Sequence, residues 1–182
     1  GSTATLGIST TSGYVRQIFL NEDGYGYTKT PTVAIGTAPT GGTNATAVAI
    51  TTSINGVNSV KEILIINPGA GYTMVPNVTI VSAASTILGV GSTSYGVGAA
   101  ATALIVTDNA GIGTVTITSS GDGYPTAPNL FFTTPSSGVG TATGRVVVSA
   151  GNSVTQVLIS DAGIGYTSGT GIATIPIPAL SV

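Results

Sequence analysis

The chain has 182 residues, a formal net charge of −2 and only ten charged side chains, four basic and six acidic. Ordinary soluble domains carry charges at about a quarter of their positions, against 5% here. Four scattered cations cannot form the basic surface that displaces counterions from phosphates, so the composition excludes DNA and RNA as partners. The absence of histidine and cysteine removes the usual zinc ligands, thiolate nucleophiles and the commonest general base.

The hydrophobic content indicates a folded chain with a core of small side chains. Hydrophobic residues make up 42% of the sequence, but tryptophan is absent and only three phenylalanines occur. A core of alanine, valine and isoleucine favours a layered β structure. No apolar run reaches the roughly 18 residues of a membrane span, and no basic segment precedes an apolar stretch as in a signal peptide. We therefore expect no membrane insertion.

The first two residues are interpreted as foreign to the natural protein. Gly1 and Ser2 are typical of the remnant that protease cleavage of an expression tag leaves. The chain is therefore expected to be a piece of a longer protein.

One tetrapeptide, Gly-x-Gly-Tyr, recurs four times, and its tyrosines are 45, 52 and 42 residues apart. Recurrence at this period indicates tandem copies of one structural unit of about 45 residues. An Ala-Thr pair opens each copy, 22 to 26 residues before its tyrosine. The predicted copies are residues 3–42, 43–97, 98–139 and 140–182. The motif tyrosines are Tyr27, Tyr72, Tyr124 and Tyr166, and the motif glycines are Gly24, Gly26, Gly69, Gly71, Gly121, Gly123, Gly163 and Gly165.

Each copy is predicted to form three strands, which gives an all-β protein of about twelve strands. Valine, isoleucine and threonine dominate the chain, and no stretch shows helical periodicity. The predicted strands are 4–9, 15–20 and 31–35 in the first copy; 45–51, 60–66 and 76–80 in the second; 99–107, 115–118 and 128–132 in the third; and 142–149, 154–160 and 171–175 in the fourth.

Tight turns are predicted between the first two strands of every copy, at Gly13, Asn55-Gly56, 109–111 and Gly151-Asn152. Asn-Gly is a strong hairpin signal because both residues tolerate positive φ. A longer loop is predicted at 82–98, where we expect mobility or contact with a partner. Because this linker is longer than the others, we prefer a linear stacked array of copies; a closed propeller-like or prism-like ring is the alternative.

The motif itself is interpreted as a turn. Two glycines at positions i and i+2 permit positive φ and a sharp reversal of the chain. A phosphate loop would need a helix directly behind it, and here another strand follows. The tyrosine is predicted to cover the core and to bond its hydroxyl to nearby backbone, as a corner tyrosine does. The alternative is a set of exposed rings at Tyr27, Tyr72, Tyr124 and Tyr166 that stack on a ligand such as a sugar.

Single polar residues precede some of the motifs, at Asp23, Asn67 and Asp161. Calcium takes six to eight oxygens from clustered carboxylates, so these residues are interpreted as turn formers. We expect no catalytic residue, no metal ligand and no cofactor site.

The repeat pattern is similar to that of a known family. Residues 71–80 read Gly-Tyr-Thr-Met-Val-Pro-Asn-Val-Thr-Ile, and two other copies also place a proline before the third strand, whereas the fourth does not. The pattern covers residues 4–175. It resembles the glycine-tyrosine repeats of large structural proteins of tailed bacteriophages, in particular those of marine cyanobacterial phages. The resemblance implies a virion component and carries no catalytic residues to transfer.

These observations predict a non-enzymatic structural or spacer segment of a phage tail fibre, baseplate or neck protein, located in the virion. Its expected partners are other virion proteins or further copies of itself, as a trimer by analogy with phage fibres. The alternative is a receptor- or glycan-binding module on the virion or a cell surface. A third candidate, a carbohydrate-degrading enzyme, has no pair of carboxylates that the sequence places together.

Overall fold

The computed structural model describes residues 5–82, 97–135, 140–166 and 173–174. These residues form β-strands and no helix, which confirms the predicted all-β class; none of them therefore belongs to a helix that could cross a membrane. The strands are β1 (Thr5–Tyr25), β2 (Thr32–Ile35), β3 (Thr46–Ile54), β4 (Val57–Asn67), β5 (Asn77–Val81), β6 (Val97–Ser119), β7 (Phe131–Phe132), β8 (Thr143–Val148), β9 (Val154–Asp161) and β10 (Ala173–Thr174).

Two four-stranded antiparallel sheets make up most of the fold. The first has the order β1-β6-β5-β2, the second has the order β3-β4-β9-β8, and β10 pairs with β7 in a third, two-stranded sheet. One of the two larger sheets is curled into a half-barrel. Five register shifts interrupt the pairing of β1 with β6, and two interrupt each of the β3–β4 and β8–β9 pairs. Such bulges bend strands and increase their twist.

Two of the predicted tight turns form hairpins. Between β3 and β4, Asn55 and Gly56 have φ angles of +52° and +78°, as a two-residue hairpin turn requires. Between β8 and β9, Asn152 has a φ of +61°, and its N–H donates to the Ser149 carbonyl over 3.0 Å. The turn chemistry read from the sequence therefore positions both hairpins correctly.

The turns predicted at Gly13 and at 109–111 are wrong. β1 and β6 run through these positions as strands of 21 and 23 residues and pair with each other along their length. A two-residue hairpin turn of this type needs positive φ at both central residues, but Gly13 has no glycine or asparagine beside it, and Ala110 carries a Cβ that opposes positive φ. The two strands therefore exchange partners: Thr5 pairs with Ser119 of the distant strand, as Thr46 pairs with Asn67 within a hairpin.

The contacts between the predicted copies do not follow a simple row. Strand pairing joins the first copy to the third through β1 and β6, and the second to the fourth through Ile65 of β4 and Ile159 of β9. The second copy also pairs with the first through β2 and β5 and with the third through β5 and β6, so neighbouring and non-neighbouring copies are both joined. Each of the larger sheets contains strands of more than one copy. The local sequence of a strand does not specify which distant strand it pairs with.

The main core lies between the two larger sheets. Its largest fully buried side chains include Tyr14, Ile65, Ile112, Ile159 and Tyr166. A smaller cluster surrounds Tyr124. Small residues fill the remaining positions, as the composition indicates; the buried alanines are Ala45, Ala47, Ala49, Ala101, Ala103, Ala142 and Ala162.

Several sequence predictions fall outside the described residues. These are the tag remnant at positions 1 and 2, positions 83–96 of the predicted 82–98 loop, and most of the last predicted strand at 171–175.

Candidate functional site

The motif glycines all adopt the backbone conformation that favours glycine. Their φ angles lie between +60° and +87°, a region that residues with a Cβ rarely enter. The sharp reversals expected from Gly-x-Gly are therefore present at all four motifs.

The motif tyrosines lie inside the protein. Tyr27, Tyr72 and Tyr124 are each 2% exposed, and Tyr166 is 1% exposed. A ring that stacks on a sugar must present an open face, and none of these four rings does so. The structure thus gives no support to the ligand-stacking interpretation of these residues.

Two of these tyrosines make the same pair of hydroxyl hydrogen bonds. The Tyr72 hydroxyl accepts from the Ala45 N–H and donates to the Gly36 carbonyl, both over 2.9 Å. The Tyr166 hydroxyl accepts from the Ala142 N–H over 2.9 Å and donates to the Thr133 carbonyl over 2.7 Å. Burial raises the pKa of Tyr166, which keeps the donating proton in place.

Backbone hydrogen bonds dock each motif onto a turn or bulge of another copy. The first and second motifs are bonded reciprocally to each other's copies, and so are the third and fourth. The four bonds run from Tyr27 N to Asn58 O (3.2 Å), from Tyr72 N to Gly13 O (2.8 Å), from Tyr124 N to Asn152 O (2.9 Å) and from Tyr166 N to Ala110 O (3.0 Å).

Two of these bonds lie within the first half of the chain, residues 5–82, and the other two lie at corresponding positions of the second half, residues 97–174. Tyr27 and Tyr124 are 97 residues apart, and Tyr72 and Tyr166 are 94 apart. Applying these offsets converts the Tyr27 and Tyr72 bonds into the Tyr124 and Tyr166 bonds. Ile65 and Ile159, 94 residues apart, pair directly with each other. The two halves therefore pack with approximate two-fold symmetry about this pair.

One cluster at the junction breaks that symmetry. The buried Tyr14 donates to the Gly163 carbonyl over 2.5 Å. Arg16 donates to Asp161 through Nε at 2.9 Å and Nη2 at 3.3 Å. Burial raises the pKa of Tyr14 to about 12; Arg16 opposes this rise, and Asp161 and Asp108 add to it. The hydrogen bond to Asp161 raises the pKa of Arg16. Tyr14 thus keeps its hydroxyl proton and Arg16 keeps its charge at neutral pH.

Two ion pairs among the described residues connect the two halves. Besides Arg16 and Asp161, Arg145 of β8 pairs with Glu62 of β4. In a chain with so few charges, this placement favours an internal, architectural role for the four paired side chains.

The polar residues before the motifs act locally. Asn67 Oδ1 accepts the Gly69 N–H over 2.9 Å, and Asp161 Oδ1 accepts the Gly163 N–H over 2.8 Å. These are the side chain-to-backbone bonds of Asx turns. In the part of the chain that the structure describes, no three acidic side chains are grouped to hold a metal ion.

An exposed aromatic residue that sequence reasoning missed lies at the first motif. Tyr25 is 65% exposed and borders a surface depression of about 560 Å³, together with Asn21, Glu22, Asp23 and Gly24. The signal was present in the sequence, because Tyr25 is the one aromatic residue at the variable motif position.

Comparison with known proteins finds no matching family model, no similar curated sequence and no similar solved structure.

Proposed function

We propose that this chain is a non-enzymatic structural segment of a tailed-bacteriophage virion, built from four copies of one β unit and acting as a spacer in a tail fibre, baseplate or neck protein. The observation that carries the proposal is the structural role of the recurring Gly-x-Gly-Tyr motif. All four tyrosines are buried and bonded to backbone of another copy, so the repeated feature maintains the architecture.

The reciprocal bonds suit a part that must keep its shape. Opening one copy breaks hydrogen bonds in a second copy, and the ion pairs oppose separation of the halves. Such coupling makes unfolding cooperative over the whole body. The place in a virion rests on the resemblance of the repeats, and the mechanical role rests on these contacts.

An exposed face of the first sheet supports assembly with other virion proteins. Phe19, Leu104 and Val81 are 47%, 39% and 49% exposed. Strand pairing places them on one side of the sheet. Phe19 and Asn77 both lie opposite Thr102. Leu104 and Val81 follow Thr102 and Asn77 by an even number of residues, which returns a strand residue to the same side. Exposed apolar surface of this kind is typical of interfaces.

Electron microscopy with gold-labelled antibodies tests the virion assignment. Antibodies raised against this chain are expected to label one defined position on phage particles purified from the source of the gene. Labelling of host cells but not of particles would contradict the proposal. Particles from a phage without the gene are the control.

A second function is favoured by Tyr25. An exposed ring beside amide and carboxylate groups is the arrangement that stacks on and hydrogen-bonds a sugar. If the chain binds a glycan there, Tyr25→Ala should lower the affinity at least about tenfold. Phe131→Ala, which removes another exposed aromatic ring, should leave it unchanged. A glycan array followed by titration decides; the spacer proposal predicts no specific glycan, and equal loss in both variants argues against a site at Tyr25.

A further inference from the structure

The side chain of Arg16 occupies a specific site in the second half. Asp161 Oδ1 accepts two donors there, the Gly163 N–H and Arg16 Nε. Gly140 leaves room for the end of the guanidinium group, since a Cβ at this position would lie 2.8 Å from Arg16 Nη2. Asp161, Gly163 and Gly140 form what we call the guanidinium site.

The first half has a cavity at the equivalent place. Its volume is about 110 Å³, and it is lined by Thr11, Thr43, Asn67, Gly69, Ala70, Gly113 and Thr114. The offsets of 97 and 94 residues match Gly113 with Arg16, Asn67 with Asp161 and Thr43 with Gly140. Hydrogen bonds support the match: the N–H of Ile112 donates to Ala162 as the N–H of Val15 donates to Pro68. The cavity exists because Gly113 supplies no side chain to fill it. We call it the Asn67 cavity.

Asn67 presents the hydrogen-bonding groups of this cavity. Its Oδ1 accepts the Gly69 N–H, which fixes the orientation of the amide and reproduces the bond that Asp161 makes with Gly163. The second lone pair of Oδ1 corresponds to the one that receives Arg16 Nε in the guanidinium site. The Nδ2 donor of Asn67 stands where Asp161 has its second oxygen. Asn67 therefore offers an acceptor and a donor side by side.

We propose that the Asn67 cavity binds a neutral primary carboxamide, such as the side chain of a glutamine or asparagine of a partner protein or a small free amide. A carboxamide has one N–H donor and one carbonyl acceptor that complement the two groups of Asn67.

A guanidinium group does not fit the same cavity. It is all donor and would oppose Asn67 Nδ2, and no carboxylate lines the cavity to compensate its charge. Thr43, which has a Cβ, also replaces the glycine that accommodates Arg16 Nη2. Thr11 donates to the Gly69 carbonyl over 3.0 Å, so that oxygen already has a donor. The side-chain amide of Asn67 therefore decides the selectivity between a carboxamide and a guanidinium group.

Nuclear magnetic resonance titration of the ¹⁵N-labelled chain with propionamide tests the proposal. We expect saturable shifts at the amides of residues 67, 69, 70, 113 and 114, with half-saturation on the order of 10–100 mM for so small a ligand. Guanidinium chloride, compared with sodium chloride at equal concentration, should leave these amides unshifted. Asn67→Asp, which restores the carboxylate of the guanidinium site, should weaken the propionamide response several-fold. Absence of saturable shifts, or equal shifts with guanidinium, overturns the proposal.

The source of the amide is distinguished by a peptide arm. Gly-Gln-Gly should produce the same local shifts as propionamide if the cavity admits a side chain, and Gly-Glu-Gly should not. Response to propionamide but not to Gly-Gln-Gly would restrict the site to free small amides. It would overturn the proposal that the cavity binds a side chain of a partner protein.

A variant that fills the cavity from within provides a second measurement. Gly113 is buried and does not have positive φ, so its backbone conformation suits a residue with a side chain. The Nε2 atom of Gly113→Gln is as many bonds from the backbone as Arg16 Nε, and it should reach Asn67 Oδ1. Gly113→Gln should abolish the propionamide response and melt at a higher temperature than Gly113→Glu, its isostere without the donor. If both variants melt alike and Gly113→Gln still responds to propionamide, the site is refuted.

Discussion

Alanine in place of Gly69 or Gly163 is expected to lower the free energy of unfolding by about 3–5 kcal/mol. Both glycines have left-handed φ angles, +73° and +68°. A Cβ at Gly69 would lie 2.6 Å from the Thr43 carbonyl oxygen, and a Cβ at Gly163 would lie 2.5 Å from that of Gly140. These neighbours are backbone atoms, which cannot rotate away as a flexible side chain could, so steric overlap adds to the φ strain.

Two other glycines separate the two costs. Gly41 and Gly56 have φ angles of +88° and +78°, but a Cβ at either position would meet nothing within 4 Å. Gly41→Ala and Gly56→Ala should therefore show the φ cost alone, about 1 kcal/mol. Urea denaturation followed by circular dichroism measures all four variants. Equal losses at the four positions would show that the close packing behind the motif contributes nothing.

The sequence predicts those features of the fold that depend on the residue types of short segments. Positive φ at Gly69 and at Asn55-Gly56 follows from residue type, because glycine and asparagine are the residues that tolerate it. The corner role of Tyr72 follows from the same local logic. The small-residue core follows from composition. These are properties of short segments, and the structure describes them as the sequence indicates.

Partner choice was beyond local reasoning. The pairing of Thr5 with Ser119 spans more than a hundred residues, and nothing near Thr5 distinguishes that strand from the one expected in its own copy. Arg16 and Asp161 meet for the same reason, through the packing of one half on the other. The exposed Tyr25 could have been found, because an aromatic residue breaks the pattern of the variable motif position there.

The second large effect is expected where the two halves meet unequally. Tyr14 and Gly111, which are equivalent under the 97-residue offset, contact each other: a Cβ at Gly111 would lie 2.4 Å from two ring carbons of Tyr14. Tyr14→Ala should cost about 3–5 kcal/mol of unfolding free energy, because it leaves a cavity at a fully buried site and removes the bond to Gly163. Tyr14→Phe, which keeps the ring, should cost about 1 kcal/mol.

A double-mutant cycle tests whether the ring explains the glycine. Gly111→Ala should cost about 2–3 kcal/mol in the natural chain, because the added methyl group overlaps the ring. In the Tyr14→Ala background the same change should be neutral or slightly stabilising, since the overlap is gone and alanine suits a strand better than glycine. Urea denaturation of the four proteins gives the coupling, and Phe19→Ala, at a site 47% exposed, controls for loss of any aromatic ring. If Gly111→Ala costs the same in both backgrounds, the contact with Tyr14 is not what requires a glycine, and the inequality of the two halves at their junction has another cause.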